Sequence, residues 1–233
     1  MKQVFLIATC LLVTCLASPV KVNVGDAWSD AAGYEECQEF VEPGKPLPRA
    51  IDDICDVDLE CAARVEMNNT DCGFGIRKVL AGKWVSTLVD DSNGVKKSES
   101  FMRLFKYISG ANSDGAKIAM TAPVITKVYF DASYNETGSS MHFYIPSAFQ
   151  ANPPSPTNAD VYIEDWDEAV VYYRAIGGKS MNIPEKVWVE EFTNLYSAVQ
   201  TAGHSFYPYM SVVGGFSGPR SKDVRFEVMY VKN

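Results

Sequence analysis

The sequence predicts an α+β domain in which two helices pack against one curved antiparallel sheet. Two observations predict it. The order strand, strand, helix, strand, strand occurs twice with a period of about 95 residues, weak in identity but clear in pattern. Each occurrence also supplies one helix with a single apolar stripe and several short alternating strands, and the economical packing buries both stripes on one sheet. One domain over residues 61–233 follows.

Ahead of that domain lies Lys2 and the apolar run Val4–Leu16, then small Ala17, the pattern of a secretory signal peptide over residues 1–17. About 14 apolar residues fall short of the roughly 20 that span a bilayer, and no later stretch is long enough, so no membrane span is expected. Cleavage after Ala17 removes Lys2 alone among the charged residues and leaves the chain more acidic than the net −8 of the whole. Such a charge argues against a nucleic-acid partner.

Residues 18–60 are rich in Asp, Glu, Gly and Pro, as in Glu42-Pro-Gly-Lys-Pro-Leu-Pro48, and show no sustained periodicity, which reads as an extended arm. Four cysteines remain after the signal: Cys37, Cys55, Cys61 and Cys72. An even number in an oxidising compartment implies two disulfides, in any of three connectivities. Zinc is a poor alternative, because the spacings are wide and both histidines lie far downstream, and no metal site is assigned. Asn68-Asn69-Thr70 and Asn135-Glu136-Thr137 become glycan acceptors in a secreted chain, at Asn68 and Asn135.

In the first block, strands are expected at 64–67, 74–80 and 83–89, the last two as one strand bent near Ala81-Gly82. Phe101, Leu104, Phe105 and Ile108 then mark one helix face over 98–109, stopped by Gly110. Strands at 118–130, with Pro123 at an edge or bulge, and at 141–146 follow. The second block places strands at 161–166 and 169–176, a helix after Pro184 with Trp188, Phe192, Leu195, Tyr196 and Val199 on one side, and strands at 206–213 and 224–231.

Motifs of known chemistry are few. Gly215-Phe-Ser-Gly218 lacks the spacing of a nucleophile elbow, and no phosphate loop or metal-binding cluster of His and Glu occurs, so no enzymatic activity is expected. No Cys-x-x-Cys-His is present, which excludes covalent c-type heme.

Five motifs resemble the SOUL heme-binding family, in its order and over essentially all of 61–233: Lys83-Trp-Val-Ser-Thr87, Lys117-Ile-Ala-Met-Thr-Ala-Pro-Val124, Phe143-Tyr-Ile-Pro146, Pro153-Pro-Ser-Pro156 and Val161-Tyr-Ile-Glu-Asp165. The resemblance is strongest to the heme-binding protein 2 branch. It implies a distorted antiparallel β-barrel of two pseudo-repeats flanked by two helices, and noncovalent binding of heme or another porphyrin. Such a ligand needs apolar surface for its face and cations for its propionates. The first helix offers both, in Phe101, Met102 and Phe105 with Arg103 and Lys106. The resemblance places Phe101, Phe105, Lys106 and Arg225 on the porphyrin surface, while the same helical stripe must also fill the core.

The axial position departs from part of the family. Some members carry histidine in a Tyr-Glu-Ile-Arg-His segment that matches Phe74-Gly-Ile-Arg-Lys78 here, and Lys78 would have to lose a proton to ligate. His142, in a strand, and His204, at a glycine-flanked helix end, are the remaining axial candidates, and each also has a structural reading as a solvated or capping residue. The expected function is an extracellular tetrapyrrole carrier, scavenger or sensor. The alternative is an extracellular protein-interaction module of the same fold, with a protein partner, that has lost heme coordination.

Overall fold

The computed structural model describes residues 55, 59–70 (backbone alone at 68–70), 73–89, 97–178, 182–218, 221 and 223–233. The expected signal peptide, nearly all of the arm, Cys37 and Cys72 lie outside the described residues. In chain order the elements are β1 (Glu60–Cys61), β2 (Arg64–Thr70), β3 (Phe74–Val79), β4 (Gly82–Val89), α1 (Lys97–Ile108), β5 (Thr121–Ala122), β6 (Val124–Phe130) and β7 (Glu136–Tyr144). They continue with α2 (Ser147–Gln150), β8 (Val161–Trp166), β9 (Ala169–Gly178), α3 (Glu185–Thr201), β10 (Met210–Gly215) and β11 (Val224–Val231).

Nine strands form one antiparallel sheet in the order β2-β3-β9-β11-β10-β6-β7-β4-β8, curled into a half-barrel. The duplication read from the sequence is visible in this order. β4, β7 and β6 of one half mirror β9, β11 and β10 of the other, and the halves meet along the β6–β10 ladder. The first strand of each repeat is exchanged, since β3 pairs with β9 and β8 pairs with β4. Only two residues separate β3 from β4, and two separate β8 from β9, so each pair is one long strand bent between the two ends of the sheet. These bent strands hold the curl.

Alternation along the strands divides the sheet into two faces. On the outer face, α1 packs on β4, β7 and β8, with Leu104, Tyr107 and Ile108 against Val85, Phe143 and Ile145. α3 covers β9, β11 and β3 on the same face, with Trp188, Phe192, Leu195 and Val199 against Phe226, Val228 and Tyr230. The inner face carries a third cluster that includes Trp84, Ile125, Tyr144, Val171, Val212 and Met229.

Most elements fall where the periodicities put them, and the departures have local causes. The expected strand over 118–130 is broken at a cis Ala122–Pro123 peptide into β5, which pairs in parallel with β1, and β6. β10 starts at Met210 rather than 206, because Tyr207 N–H is taken by Val231 O at 2.9 Å outside the ladder to β6. α1 ends at Ile108, and just beyond it Gly110 has a φ of +119°, where glycine is favoured. The Asn112 amide donates to Tyr107 O and Ala116 O there, satisfying a terminal helix carbonyl. The buried side of α1 is also turned from the expected stripe: Ser100 and Tyr107 join Leu104 and Ile108, and Phe105 faces outward. Tyr107 can be buried because its hydroxyl donates to Pro154 O at 2.9 Å.

Cys55 and Cys61 are disulfide-bonded, with Cα atoms 6.1 Å apart, which ties Cys55 to β1 and its pairing with β5. Asn135 is exposed in the turn between β6 and β7, where its backbone and side-chain N–H groups donate to the Asp131 carboxylate. Asn68 lies in β2, and its side chain is outside the described residues.

Candidate functional site

The outer face of α1 gathers four of the expected binding residues. Phe101 and Phe105, one turn apart, stack with ring centroids 6.2 Å apart and planes 13° from parallel. Phe101 also packs edge-on against Phe143 at 5.1 Å, which anchors the pair to β7. Phe105 keeps 41% of its surface exposed and Met102 45%, and Lys106 is exposed beside them. Large apolar side chains are exposed here on a helix whose other side is fully packed, so the patch is surplus to the core. Arg103 lies on the other flank of α1, 3.6 Å from the Asp160 carboxylate.

Other expected residues lie elsewhere. Arg225 alternates with Glu227 and Met229 onto the inner face of β11, across the sheet from α1. Lys78, on β3, pairs its ammonium with Glu168 at 3.0 Å. His204 follows α3 and stacks on Tyr172 at 5.2 Å, edge-on to Phe74 at 6.1 Å. His142 is buried on the inner face of β7 with both ring nitrogens engaged: Nδ1 lies 2.7 Å from Ser86 Oγ and 3.1 Å from Glu164 Oε2, and Nε2 lies 2.8 Å from Ser140 Oγ. Burial pushes the His142 ring down from the ordinary histidine value, against the pull of Glu164. A neutral ring fits these contacts, with Ser86 Oγ–H donating on to Glu164 at 2.7 Å. Among the described residues, no group of three or more His, Cys, Asp or Glu could hold a metal ion.

The inner face encloses a cavity of about 300 Å³. Trp84, Trp166, Phe216, Met210, Met229 and Val212 give it an apolar wall. Trp84 and Trp166 stack at 4.2 Å and 19°. Two polar clusters border it. At one end Arg77 donates to both Glu227 oxygens, at 2.7 and 3.0 Å, and to Glu66 at 2.6 Å, lies 4.0 Å over the Tyr173 ring and is held protonated by the two carboxylates. Burial pushes the Glu227 carboxyl up, and Arg77 pulls it back down. In the second, Lys127 lines the cavity with its Nζ 3.4 Å over the Trp166 ring, and His142 and Glu164 touch that indole, His142 at 4.8 Å between centroids and Glu164 at 3.2 Å from Nε1.

Sequence reasoning placed the apolar helix patch and missed the cavity. The signal was present in the shared strand face of Trp84 with Ser86 and of Glu164 with Trp166, but a period of two does not say which face is enclosed.

Fold and faces together define an α+β half-barrel with an apolar concavity inside and an apolar helix patch outside. The chain belongs to the SOUL heme-binding protein family, whose model matches residues 60–231. It is 31% identical to human (Homo sapiens) heme-binding protein 2 over 185 residues, 77% of this chain and 89% of that protein. To heme-binding protein 1 of Xenopus laevis it is 34% identical over 167 residues, 69% of this chain and 84% of that protein. Among solved structures, the C-terminal domain of EcmrR aligns over 69% of this chain and 96% of its own with a TM-score of 0.49 at 13% identity.

Proposed function

We propose that this protein binds heme or a related tetrapyrrole noncovalently on the outer face of α1, as a secreted carrier, scavenger or sensor. The exposure of Phe105 and Met102 over a packed Phe101 carries this reading. A tetrapyrrole presents a broad apolar face and two propionates. Phe101, Met102 and Phe105 would take the face, and the exposed Lys106 ammonium a propionate. Bound heme would supply iron with its ligand and redox chemistry.

Coordination by histidine does not fit this face. His142 spends both nitrogens on the inner side of the sheet, His204 lies beside α3, and the Lys78 ammonium is paired. The holding interactions proposed are therefore apolar contact and charge. Secretion is supported by the Val4–Leu16 pattern and by the Cys55–Cys61 disulfide, a bond that persists in oxidising compartments. The family's named relatives support a tetrapyrrole over other flat apolar ligands.

Hemin titration of the mature protein tests the proposal. A saturable Soret change at one equivalent is expected, and Phe105→Asp should abolish it while leaving the melting curve in place. A flat titration of the folded wild type would sink the reading and favour the other use of the same patch, contact with an extracellular protein.

A further inference from the structure

The inner cavity holds one cation that no carboxylate of the described residues contacts. Three cations line it: Arg64, Arg77 and Lys127. The two arginines are matched, Arg77 by Glu227 and Glu66 and Arg64 by Glu66 at 3.7 Å. Lys127 is not. Among the described residues no carboxylate stands within ion-pair distance of its Nζ, and its near neighbour is the Trp166 ring. Glu164 acts on Lys127 only at longer range: its Oε2 receives Ser86 Oγ–H at 2.7 Å and Trp166 Nε1–H at 3.2 Å and faces His142 Nδ1. Asp167 also lines the cavity but is exposed.

The surroundings of that cation are otherwise unmatched in one place only. Trp84, on the same wall, carries the one buried side-chain polar atom among the described residues without a hydrogen-bond partner, its indole N–H. The half-buried Lys127 ammonium, on a largely apolar wall and without a carboxylate in contact, suits an oxygen anion as its partner. The rest of the wall is aromatic and aliphatic. Burial lowers Lys127 to about 8, which leaves the amine mainly protonated at neutral pH and the charge argument intact.

We propose that the inner cavity is a second ligand site, separate from α1, that takes a small aromatic carboxylic acid of one or two rings, its carboxylate on Lys127 and its rings against Trp166, Phe216 and Met229. The site size matches the cavity volume, at the lower end for small-molecule pockets. The Lys127 ammonium, already over a ring face, gains a counter-ion without any rearrangement of the matched Arg77 cluster. The sheet separates this ligand from the outer face of α1, so the two sites need not compete.

The probe is 2-naphthaleneacetic acid, read by quenching of the intrinsic tryptophan fluorescence of the mature protein, beside the corresponding alcohol and amine, 2-(2-naphthyl)ethanol and 2-(2-naphthyl)ethylamine. The acid should saturate one site and bind about tenfold or more tighter than the alcohol, the worth of one charge-assisted contact, with the amine weakest. Lys127→Met, checked for folding by circular dichroism, should bring acid and alcohol within about twofold of each other and leave hemin titration unchanged. Equal binding of the three ligands, no binding of the acid up to millimolar concentration, or an acid preference that survives in Lys127→Met would overturn the proposal. Should that variant not fold, the three-ligand comparison on the wild type decides alone. Loss of hemin binding with acid binding intact would strike only the α1 reading.

Discussion

Arg77 and Glu227 lie 150 positions apart and meet in a two-pronged ion pair, 2.7 and 3.0 Å, with 2% and 0% of their side chains exposed. The pair spans β9, because β3 and β11 both flank that strand. It therefore bonds the exchanged strand of the first repeat to the last strand of the second. Glu66 and Tyr173 complete the cluster, with the Tyr173 hydroxyl donating to Glu66 at 2.9 Å. Removing two charges from water is costly, and geometry this close, with further hydrogen bonds, is what makes such a pair sustainable.

Arg77→Met should destabilise the fold by about 3–5 kcal/mol, because it strands a buried carboxylate. Adding Glu227→Met should restore much of the loss, since the charge left behind is then gone. Urea denaturation of both variants measures it. A double variant as unstable as the sum of the singles would show that the two residues act independently.

Gly75 lies beside this cluster, and a Cβ there would meet the Tyr173 ring. That ring cannot move freely, held by the Arg77 stack and the bond to Glu66. Gly75→Ala is expected to cost about 1–3 kcal/mol, the usual penalty of overpacking. Pairing it with Tyr173→Phe, which frees the ring from Glu66, should reduce the cost. Thermal melts of the single and double variants decide this.

Periodicity made nearly every strand and both long helices legible, and the pattern of two repeats gave the single sheet. What it could not carry was which strand pairs with which. The exchange of β3 and β8 depends on two-residue links that bend rather than turn back, and Leu80-Ala81 and Asp167-Glu168 hold no hairpin signal against which to judge them. The same limit applies to the sites. Phe101, Met102, Phe105 and Lys106 share one stretch of helix, so local spacing brought them together. Arg225 and Lys127 depend on which face of a curled sheet is enclosed, and alternation is silent on that. The two-residue β7 spacing of Ser140 and His142 likewise says nothing of Ser86 or Glu164 on neighbouring strands.

Leu104 and Phe105 are sequence neighbours with opposite expected roles. Leu104 is fully buried on the sheet side of α1, so Leu104→Ala should cost about 2–5 kcal/mol and leave the hemin affinity of the folded fraction unchanged. Phe105→Ala removes a half-exposed ring and should cost under about 1 kcal/mol, while weakening hemin binding. Chemical denaturation and Soret titration on both variants separate the roles. Equal hemin binding by Phe105→Ala and wild type would place the ligand off this patch.

Acid sensitivity should begin at His142. Burial lowers its folded-state value below the 6.5 of the free group, so below pH 6.5 the unfolded chain binds the proton first and stability falls until the folded ring also protonates. The Glu164 carboxyl is held at about 2, chiefly by its hydrogen bond to His142, with Ser86 and Trp166 adding to it. Its contribution is present above the ordinary 4.5 and is lost as pH falls from there through about 2. Lys127, lowered to about 8, contributes a constant amount below that pH and leaves this window clear. Glu227, pushed up by burial, acts with the opposite sign at acid pH, so the comparison must be between variants that both keep it. Melting temperatures measured from pH 8 to pH 3 should fall in two stages for the wild type. His142→Gln should be less stable at pH 8, where a satisfied buried ring is lost, and should lack the first stage. Parallel curves for the two proteins between about pH 7 and 5 would mean that His142 is not the group whose protonation the fold resists.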